Sequence, residues 1–526
     1  MVQGPCAGLR RRLCDLTTWS ITVDEVNIDP RTPVIVGAGQ FLNRVDRGAD
    51  PLSPVGLILE ALRAAEKDAG VAGLASSAEV FGTTHMLSWR YRDPGRLVAD
   101  AVGADRAKTW YPSNGGNTPQ MQLNRMARLI SEGELDTAVL SGAEAWNTRT
   151  SAKRAGTRAE WEEQPDSVVA DWGSEDTFTM GHPAEHAKGI VAPVQAYPLF
   201  ETALIHRALV ENPGRTLAEQ IALIGEMWAG FSRVAADNPY AWNREALTAE
   251  EITTATPGNR FVGWPYTKRM VSYPSVDMGS ALIVTSAEAA RAAGIPTDRW
   301  VFLWSGTDGV DLVMSERESF TRSPSIGVGG RRALELAGAD LDEVDHLDVY
   351  SCFPSAVELF CREFELDPLS RPLTVYGGLA FAGGPWNNYV MHAIATVMND
   401  LREQPGTTGL VWANGGYATK HAFGVYRTTP PVGGFQHAYP QDVIDAMPRR
   451  ELAAPADAAG AATIEAYTVM HSRDGVPETV YAACLLADGR RAWGTSADVA
   501  LAAAMCNGEW VGRAATLAPD GTITPT

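Results

Sequence analysis

The chain has 526 residues, of which 45% are hydrophobic, so it is long enough to form two to four domains with large cores. Its formal net charge of −19 and its pI of about 5.0 argue against nucleic acid and anionic membrane surfaces as general partners. No apolar run approaches the ~18 residues of a membrane span, and the six cysteines show no CxxC spacing. We therefore expect a cytoplasmic protein with reduced thiols.

The first part of the chain alternates between strand and helix patterns. Residues 1–30 lack such a pattern and are expected to form a disordered lead. An apolar run over 33–40 predicts a buried strand, 52–69 has helical periodicity, and 78–84 has the pattern of the next strand. Alternation of this kind predicts a mainly parallel sheet that is covered by helices.

A glycine pair precedes the next helix. Gly115 and Gly116 are followed by an amphipathic helix over 121–131 and by a strand over 137–142. Glycines in this position let the backbone approach a ligand closely and direct free N–H groups towards it. The alternative interpretation is a tight strand-to-helix turn without a ligand.

Residues 146–265 interrupt the alternation and predict an inserted loop domain with helices over 199–209 and 217–234. Its local basic cluster consists of Arg149, Lys153, Arg154 and Arg158. This cluster fits either the phosphates of a ligand or a solvated charged face. His182 and His186 have the spacing of metal ligands, but no third ligand is evident, so the sequence predicts no metal site.

A second unit repeats the first one in the same order. Its strand, helix, strand, glycine-led helix and last strand are predicted over 300–306, 330–338, 346–350, 389–401 and 409–416. Matching patterns in matching order indicate an internal duplication, which is the most informative global feature of the sequence.

The C-terminal part has a different composition. Residues 429–460 are rich in Pro, Gly and Ala and are expected to be a linker. Four short strand patterns with an interrupting helix follow, so residues 461–526 predict a small β-barrel of the oligonucleotide-binding (OB) type. The acidity of the chain argues against nucleic acid as its ligand.

Five stretches carry a resemblance to a known family. They are residues 34–39, 141–145, 277–281 and 379–385, and the tetrapeptide Tyr350-Ser351-Cys352-Phe353. Together they resemble the thiolase superfamily, its sterol-carrier-protein branch, and most closely the thiolase-like proteins of type 1, which have an additional C-terminal domain. The resemblance implies a duplicated, five-layered α/β/α/β/α fold.

The implied domain limits follow from this fold. The first half is expected over 31–299, with the loop domain at about 146–265, and the second half over 300–428. The resemblance also implies an acetyl-CoA acetyltransferase-like protein of lipid metabolism. Its ligand would be an acyl-CoA thioester, as substrate or as bound ligand, with no other cofactor. Both a homodimer and a monomer are compatible with it.

Catalytic members of the superfamily have a nucleophilic cysteine before the glycine-led helix, and this position is Gly116 here. Their His-Asp-Cys-Phe motif corresponds to the tetrapeptide that starts at Tyr350, and their Gly-His-Pro motif places Gly384 at the histidine position. The predicted catalytic residues are Tyr350 and Cys352. The predicted substrate pocket comprises Gly116, Asn117, Thr118, Gly384, Pro385, Asn387, Ala413, Asn414 and Gly415.

Three functions follow from these departures. The first is an acyl-CoA-binding acyltransferase-family protein in which Cys352 acts as acid and base without the usual nucleophile. The second is a retro-aldolase that cleaves a β-hydroxyacyl-CoA with Tyr350, as some thiolase-fold aldolases use tyrosines. The third is a non-catalytic acyl-CoA-binding or scaffold protein. The plain alternative for Cys352 is a small buried hydrophobe.

Overall fold

The computed structural model describes residues 28–173 and 180–526. Most of the expected lead over 1–30 lies outside the described residues, as do Cys6 and Cys14. The strands are β1 (Pro33–Leu42), β2 (Val80–Thr83), β3 (Lys108–Trp110), β4 (Thr137–Ala145), β5 (Phe261–Gly263), β6 (Tyr266–Thr267), β7 (Asp277–Ser286), β8 (Val301–Val310), β9 (His346–Val349), β10 (Gly409–Gly415), β11 (Lys420–Arg427), β12 (Gln436–Ala438), β13 (Gly460–His471), β14 (Pro477–Leu486), β15 (Arg491–Ser496), β16 (Ala514–Leu517) and β17 (Ile523–Pro525).

The helices of the described residues follow the amphipathic patterns of the sequence. They are α1 (Pro54–Ala69), α2 (Pro94–Ala101), α3 (Thr118–Ser131), α4 (Trp146–Arg154), α5 (Pro183–Ala187), α6 (Pro193–Glu211), α7 (Leu217–Asp237), α8 (Ala249–Thr253), α9 (Ala287–Ala292), α10 (Pro324–Leu336), α11 (Pro354–Glu363), α12 (Tyr389–Glu403), α13 (Gln441–Asp445) and α14 (Val499–Met505).

The strand order shows the internal duplication directly. The strands of the first half lie in the order β3-β2-β4-β7-β1, and those of the second half in the order β9-β10-β11-β8. In both halves a parallel pair (β2 with β4, β9 with β10) is followed by two antiparallel pairings. Among the described strands, β1 and β8 join the halves by antiparallel pairing at Val34 and Ile35.

Helices cover both sheets and separate them. On the outside of the first half, α1 packs on β1, β4 and β7, and α2 packs on β2 and β3. On the outside of the second half, α10 packs on β8 and β11. Between the sheets lie α3, which contacts β4 and β11, and α12, which contacts β1 and β10. The five layers implied by the resemblance are therefore present.

The C-terminal sheet has the order β15-β14-β13-β16-β17. Its ends meet at a single bridge between Thr495 and Thr522, so the sheet curls round without closing into a full barrel. It is extended by β5 of the loop domain, which pairs with β13. The preceding segment over 429–460, expected as a linker, contains β12, which pairs with β8, and α13.

One arginine fastens the C-terminal sheet to the second half. Arg491 on β15 is completely buried and binds both carboxylate oxygens of Glu465, at 2.7 and 2.8 Å. Its Nη1 also donates to the carbonyls of Met314, Ser315 and Arg317. The domain is thus held by a buried polar contact and not only by apolar packing.

The outer edge of the first sheet is covered by its own chain. Trp172 forms a bridge with Trp110 on β3; its N–H donates to Thr109 O and its carbonyl accepts from Tyr111 N, both at 3.0 Å. Asp171 accepts a further hydrogen bond from Thr109 N. An edge strand that is paired in this way is not open to a strand of a second molecule.

Candidate functional site

The site is built where the two halves meet. The tetrapeptide Tyr350–Phe353 follows the end of β9 and leads into α11, and all four of its residues are buried. The loop before α3 approaches it from the first half. Side chains at the end of a strand and the start of a helix are held on two sides by regular structure, which is how α/β proteins position reactive groups.

Gly116 and Tyr350 share one space. A Cβ atom on Gly116 would collide with the hydroxyl oxygen of Tyr350 and with the backbone oxygen of Asn414. The phenol therefore occupies the volume that any side chain at position 116 would need. Only glycine fits there, because it has no Cβ.

Gly384 is in the same situation. A Cβ atom on Gly384 would collide with Ser272 Oγ. The backbone N–H of Ser272 also donates to Cys352 O at 3.1 Å. Ser272 therefore lies between Gly384 and the tetrapeptide and contacts both. The resemblance puts the superfamily's nucleophile at position 116 and its histidine at position 384, and in the structure the space beside both glycines is filled by atoms from elsewhere in the chain.

The Cys352 thiol lies in a closed environment beside the Tyr197 hydroxyl. Burial raises the pKa of Cys352 to about 12, and the neighbouring Tyr197 hydroxyl opposes this shift only in part. The Tyr197 hydroxyl accepts hydrogen bonds from Asn414 Nδ2 at 2.9 Å and Ala418 N at 3.0 Å, and donates to Gly416 O. At neutral pH Cys352 is therefore a thiol, which can give a proton but is a poor nucleophile.

Tyr350 is also a protonated group. Burial raises its pKa well above the usual value, and the charge of a Cys352 thiolate would raise it further. Its ring packs edge-on against Tyr389, with ring centres 5.8 Å apart. No described residue forms a hydrogen bond with the Tyr350 hydroxyl, so this donor is open to a ligand.

Asparagines connect the loops of the two halves. Asn387 donates to His85 O at 2.8 Å and to Asn114 Oδ1 at 2.7 Å, and accepts from Gly115 N. Asn388 donates to Gly142 O and to Ser280 Oγ. These contacts hold the glycine loop before α3 against the second half.

Several buried side-chain oxygens of the site have no hydrogen-bond partner among residues 28–173 and 180–526. They include the amide oxygens of Asn117 and Asn414. Leaving such an atom unpaired is costly, about 1–3 kcal/mol, so a donor on a ligand would be bound well there. Thr118 is different, because its hydroxyl already donates to Gly115 O at 2.8 Å.

The structure thus brings together most of the predicted pocket. Gly116, Tyr350 and Asn414 are in direct contact, and a Cβ on Gly415 would meet Asn117 Oδ1. Pro385 has a structural part, since its carbonyl accepts from Asn388 N at 2.9 Å. Ala413 lies in the ladder between β10 and β11 opposite Ala422 and has no reactive group.

The chain has a relative of known structure along nearly its whole length. The crystal structure of "a monomeric SCP2-thiolase like protein type 1" from Mycobacterium smegmatis is 32% identical, with a TM-score of 0.79, and the match covers 95% of this chain and 99% of that one. The chain belongs to the SCP2-thiolase-like protein type 1 family. Residues 440–522 also match the family described as "Thiolase-like protein type 1 additional C-terminal domain".

More distant structures share the thiolase fold of this family. The Ltp2-ChsH2(DUF35) aldolase is 20% identical, with a TM-score of 0.56, over 76% of this chain and 99% of that one. The dimeric peroxisomal thiolase of Saccharomyces cerevisiae is 12% identical, with a TM-score of 0.52, over 77% of this chain and 99% of that one. A search of curated proteins finds no match.

Two residues of this SCP2-thiolase-like site have no signal in the sequence. Tyr197 comes from α6 and Ser272 from the segment between the loop domain and β7, far along the chain from Cys352, and neither lies in a motif. Their place in the site results from tertiary packing alone. The chain contains many tyrosines and serines, and no sequence pattern distinguishes Tyr197 and Ser272 from the others.

The histidine pair has a structural explanation. His182 Nδ1 accepts from Ala184 N at 3.1 Å and so caps α5. In the part of the chain that the structure describes, no three His, Cys, Asp or Glu side chains are grouped as a metal site.

None of the described helices is both long and apolar enough to cross a membrane.

Cys352 is expected to resist alkylation. Because its pKa is raised to about 12, only a small fraction is thiolate at pH 8. We expect iodoacetamide to modify it at least about tenfold more slowly than glutathione, whose thiol is unperturbed, with a rate that still rises above pH 10. Peptide mass spectrometry measures both. Modification as fast as glutathione, with a plateau below pH 9, would contradict the buried neutral thiol.

Proposed function

We propose that this protein is a cytoplasmic, monomeric member of lipid metabolism that binds acyl-CoA thioesters and forms no covalent acyl-enzyme. The observation that carries the proposal is the contact between Gly116 and the Tyr350 hydroxyl. A phenol stands where the superfamily has its nucleophile. The covered edge of β3 supports a monomer, because this edge is already paired with Trp172 and does not offer itself to a second copy.

The proposal that the protein forms no covalent acyl-enzyme follows from the residues at positions 116, 384 and 352. A nucleophile and its base usually contribute several orders of magnitude in rate, and Gly116 and Gly384 supply neither. Cys352 does not replace them, because its pKa is about 12. Ordinary thiolysis of a 3-ketoacyl-CoA is therefore not the proposed reaction.

Binding is supported by the donors and acceptors of the site. The Tyr350 hydroxyl is a donor without a partner, and Asn117 Oδ1 and Asn414 Oδ1 are acceptors without partners in the described part of the chain. A thioester carbonyl needs the first kind of group, and the amides of a pantetheine chain need the second.

The same phenol favours a second candidate, the retro-aldol cleavage of a β-hydroxyacyl-CoA. In this reaction the bond between the α and β carbons breaks, which yields a carbonyl product and the enolate of the shortened acyl-CoA. As this bond breaks, Tyr350 would give its proton to the α carbon of the developing enolate and take up the proton of the β-hydroxyl in the same step, so that no net proton is lost. A phenol with a raised pKa is protonated at neutral pH, as the donation to the enolate requires.

Tyr350→Phe separates binding from proton transfer. We expect the variant to bind acyl-CoA within a few-fold of the wild type but to cleave a β-hydroxyacyl-CoA about 10²–10⁴-fold more slowly, since one proton donor is removed. Calorimetric titration and the release of the carbonyl product measure the two effects. Tyr467→Phe is the matched control, because it removes a buried hydroxyl that only donates to backbone carbonyls in the C-terminal domain.

Each result of this experiment selects one function. Full cleavage by Tyr350→Phe would eliminate the retro-aldolase. Wild-type binding of acyl-CoAs of every chain length without turnover would identify a binding or scaffold protein. Absence of any acyl-CoA binding by the wild type would overturn the proposed function itself.

A further inference from the structure

Two glutamates form a buried acid pair outside the predicted pocket. Glu201 on α6 is completely buried, and Glu358 on α11 lies beside it where these two helices pack together. Oε1 of Glu201 and Oε2 of Glu358 are buried and have no hydrogen-bond donor among residues 28–173 and 180–526. No described Lys, Arg or His side chain forms an ion pair with either glutamate. Arg362, one turn after Glu358, pairs with Glu211 at 3.3 Å instead.

Two adjacent carboxylates without a cation cannot both be charged in a protein interior, because neither water nor a counter-ion offsets their repulsion. Burial raises the pKa of Glu201 well above its usual range, and the charge of Glu358 raises it further. Burial also raises the pKa of Glu358. A proton on one carboxyl removes the repulsion and gives the oxygen of the other carboxyl its missing donor.

The acid pair is connected to the start of α11. The Tyr266 hydroxyl donates to Glu201 Oε2 at 2.7 Å and accepts from Ser355 N at 3.2 Å. The hydroxyls of Tyr266 and Ser355 are 2.8 Å apart. The Tyr266 ring also stacks on that of Phe353, with ring centres 5.6 Å apart. The end of the tetrapeptide and the first turn of α11 are thus held through Tyr266 by Glu201.

The other end of the acid pair faces a cleft of about 460 Å³ between α6, α7 and α11, which Glu358 lines and Glu201 does not. On the Glu201 side, the neighbouring titratable group is Tyr266 of β6. The side chains that α7 contributes to the cleft are uncharged. The other titratable groups of its wall are Cys361, Arg362, Glu211, Arg215 and Asp367. Protons therefore exchange between solvent and the pair at Glu358.

We propose that Glu201 and Glu358 share one proton at neutral pH, and that this proton holds the start of α11 and the tetrapeptide in place. Loss of the proton at alkaline pH leaves two negative charges side by side between α6 and α11. Their repulsion loosens the contact that Tyr266 makes with Ser355 and Phe353. The acid pair is thus a pH-sensitive element that acts on the candidate site from behind.

Stability must then fall as pH rises. An unfolded chain releases the protons of its glutamates near pH ~4.3, whereas the folded protein keeps one proton on the acid pair. Because the folded state binds more protons, the unfolding equilibrium constant rises by up to about tenfold for each pH unit above this value, until the pair itself ionises. Below it, both states are protonated and the pair has no effect.

The double variant Glu201→Gln/Glu358→Gln removes this titration but keeps the shape and the hydrogen-bonding atoms of the pair. We expect the variant to gain at least about tenfold in folding equilibrium constant over the wild type between pH 5 and pH 7. Urea unfolding at several pH values measures the gain. Glu226→Gln is the matched control, because Glu226 is exposed on the neighbouring α7 and its replacement should leave the pH dependence unchanged.

Two further measurements keep the test independent of that variant. Infrared difference spectra at neutral pH should show the band of a protonated carboxyl group in the wild type that is lost in Glu358→Gln. Hydrogen exchange of the peptide over 350–358 should be at least about threefold faster in the wild type than in Glu358→Gln at alkaline pH, and equal at neutral pH. Comparison at the same pH cancels the intrinsic exchange rate.

Three results would overturn the proposal. Parallel pH profiles of stability for the wild type and the double variant, or the absence of the carboxyl band, would show that the pair holds no proton. The same gain in Glu226→Gln would show a general charge effect. A carboxyl band without a difference in hydrogen exchange over 350–358 would show that the proton does not act on the tetrapeptide.

Discussion

Replacing Gly116 by alanine is expected to lower the free energy of unfolding by about 3 kcal/mol. The new Cβ would collide with the Tyr350 hydroxyl and with the backbone oxygen of Asn414. Extra atoms in a packed interior typically cost about 1–3 kcal/mol, and the upper value applies here because one of the neighbours is backbone. Urea unfolding followed by fluorescence measures the effect.

Two further variants test whether the collision with Tyr350 causes the loss of stability in Gly116→Ala. Gly230→Ala, on α7, is the control, because its Cβ would meet only a flexible arginine side chain, and alanine should stabilise the helix there by up to about 1 kcal/mol. Adding Tyr350→Ala to Gly116→Ala should cost less than the two single changes together, since part of the collision disappears. A Gly116→Ala protein as stable as the wild type would show that the phenol does not fill this space.

Replacing Arg491 by methionine is expected to destabilise the protein by about 3–5 kcal/mol. The side chain is completely buried, and its removal leaves Glu465 and the carbonyls of Met314, Ser315 and Arg317 without their donor. Removing one partner of a buried ion pair usually has an effect of this size. Chemical unfolding with probes in both domains measures it.

The neighbouring arginine provides the control. Arg490 binds Asp488 and Asp457 at the surface, so Arg490→Met should leave the unfolding midpoint essentially unchanged. Equal midpoints for the two variants would contradict the view that a buried contact holds the C-terminal sheet in place.

The sequence was sufficient for the architecture because its signals are local. Long amphipathic runs gave α1, α7 and α12 to within a few residues, and the repeated order of patterns gave the duplication that the strand order now shows. Strand β11 had no prediction. It is buried on both faces and contains glycine and alanine, so it lacks the alternation that marks a half-exposed strand.

The site was predictable only where a motif marks it. The resemblance predicted Tyr350, Cys352, Gly116 and Gly384 as positions of the site and implied that two reactive side chains are replaced by glycine. It did not show what fills the vacated space. That Tyr350 covers Gly116 and Ser272 covers Gly384 depends on contacts between distant parts of the chain, which local patterns do not encode.

Native mass spectrometry after incubation with a panel of acyl-CoAs tests the central claim most directly. We predict a monomer of about 56.4 kDa that takes up one acyl-CoA without covalent attachment, so that denaturation returns the mass of the free chain. An acyl adduct that survives denaturation would contradict the account, because the account has glycine at position 116 and a protonated, poorly nucleophilic thiol at Cys352. Failure of every acyl-CoA to bind would contradict it as well.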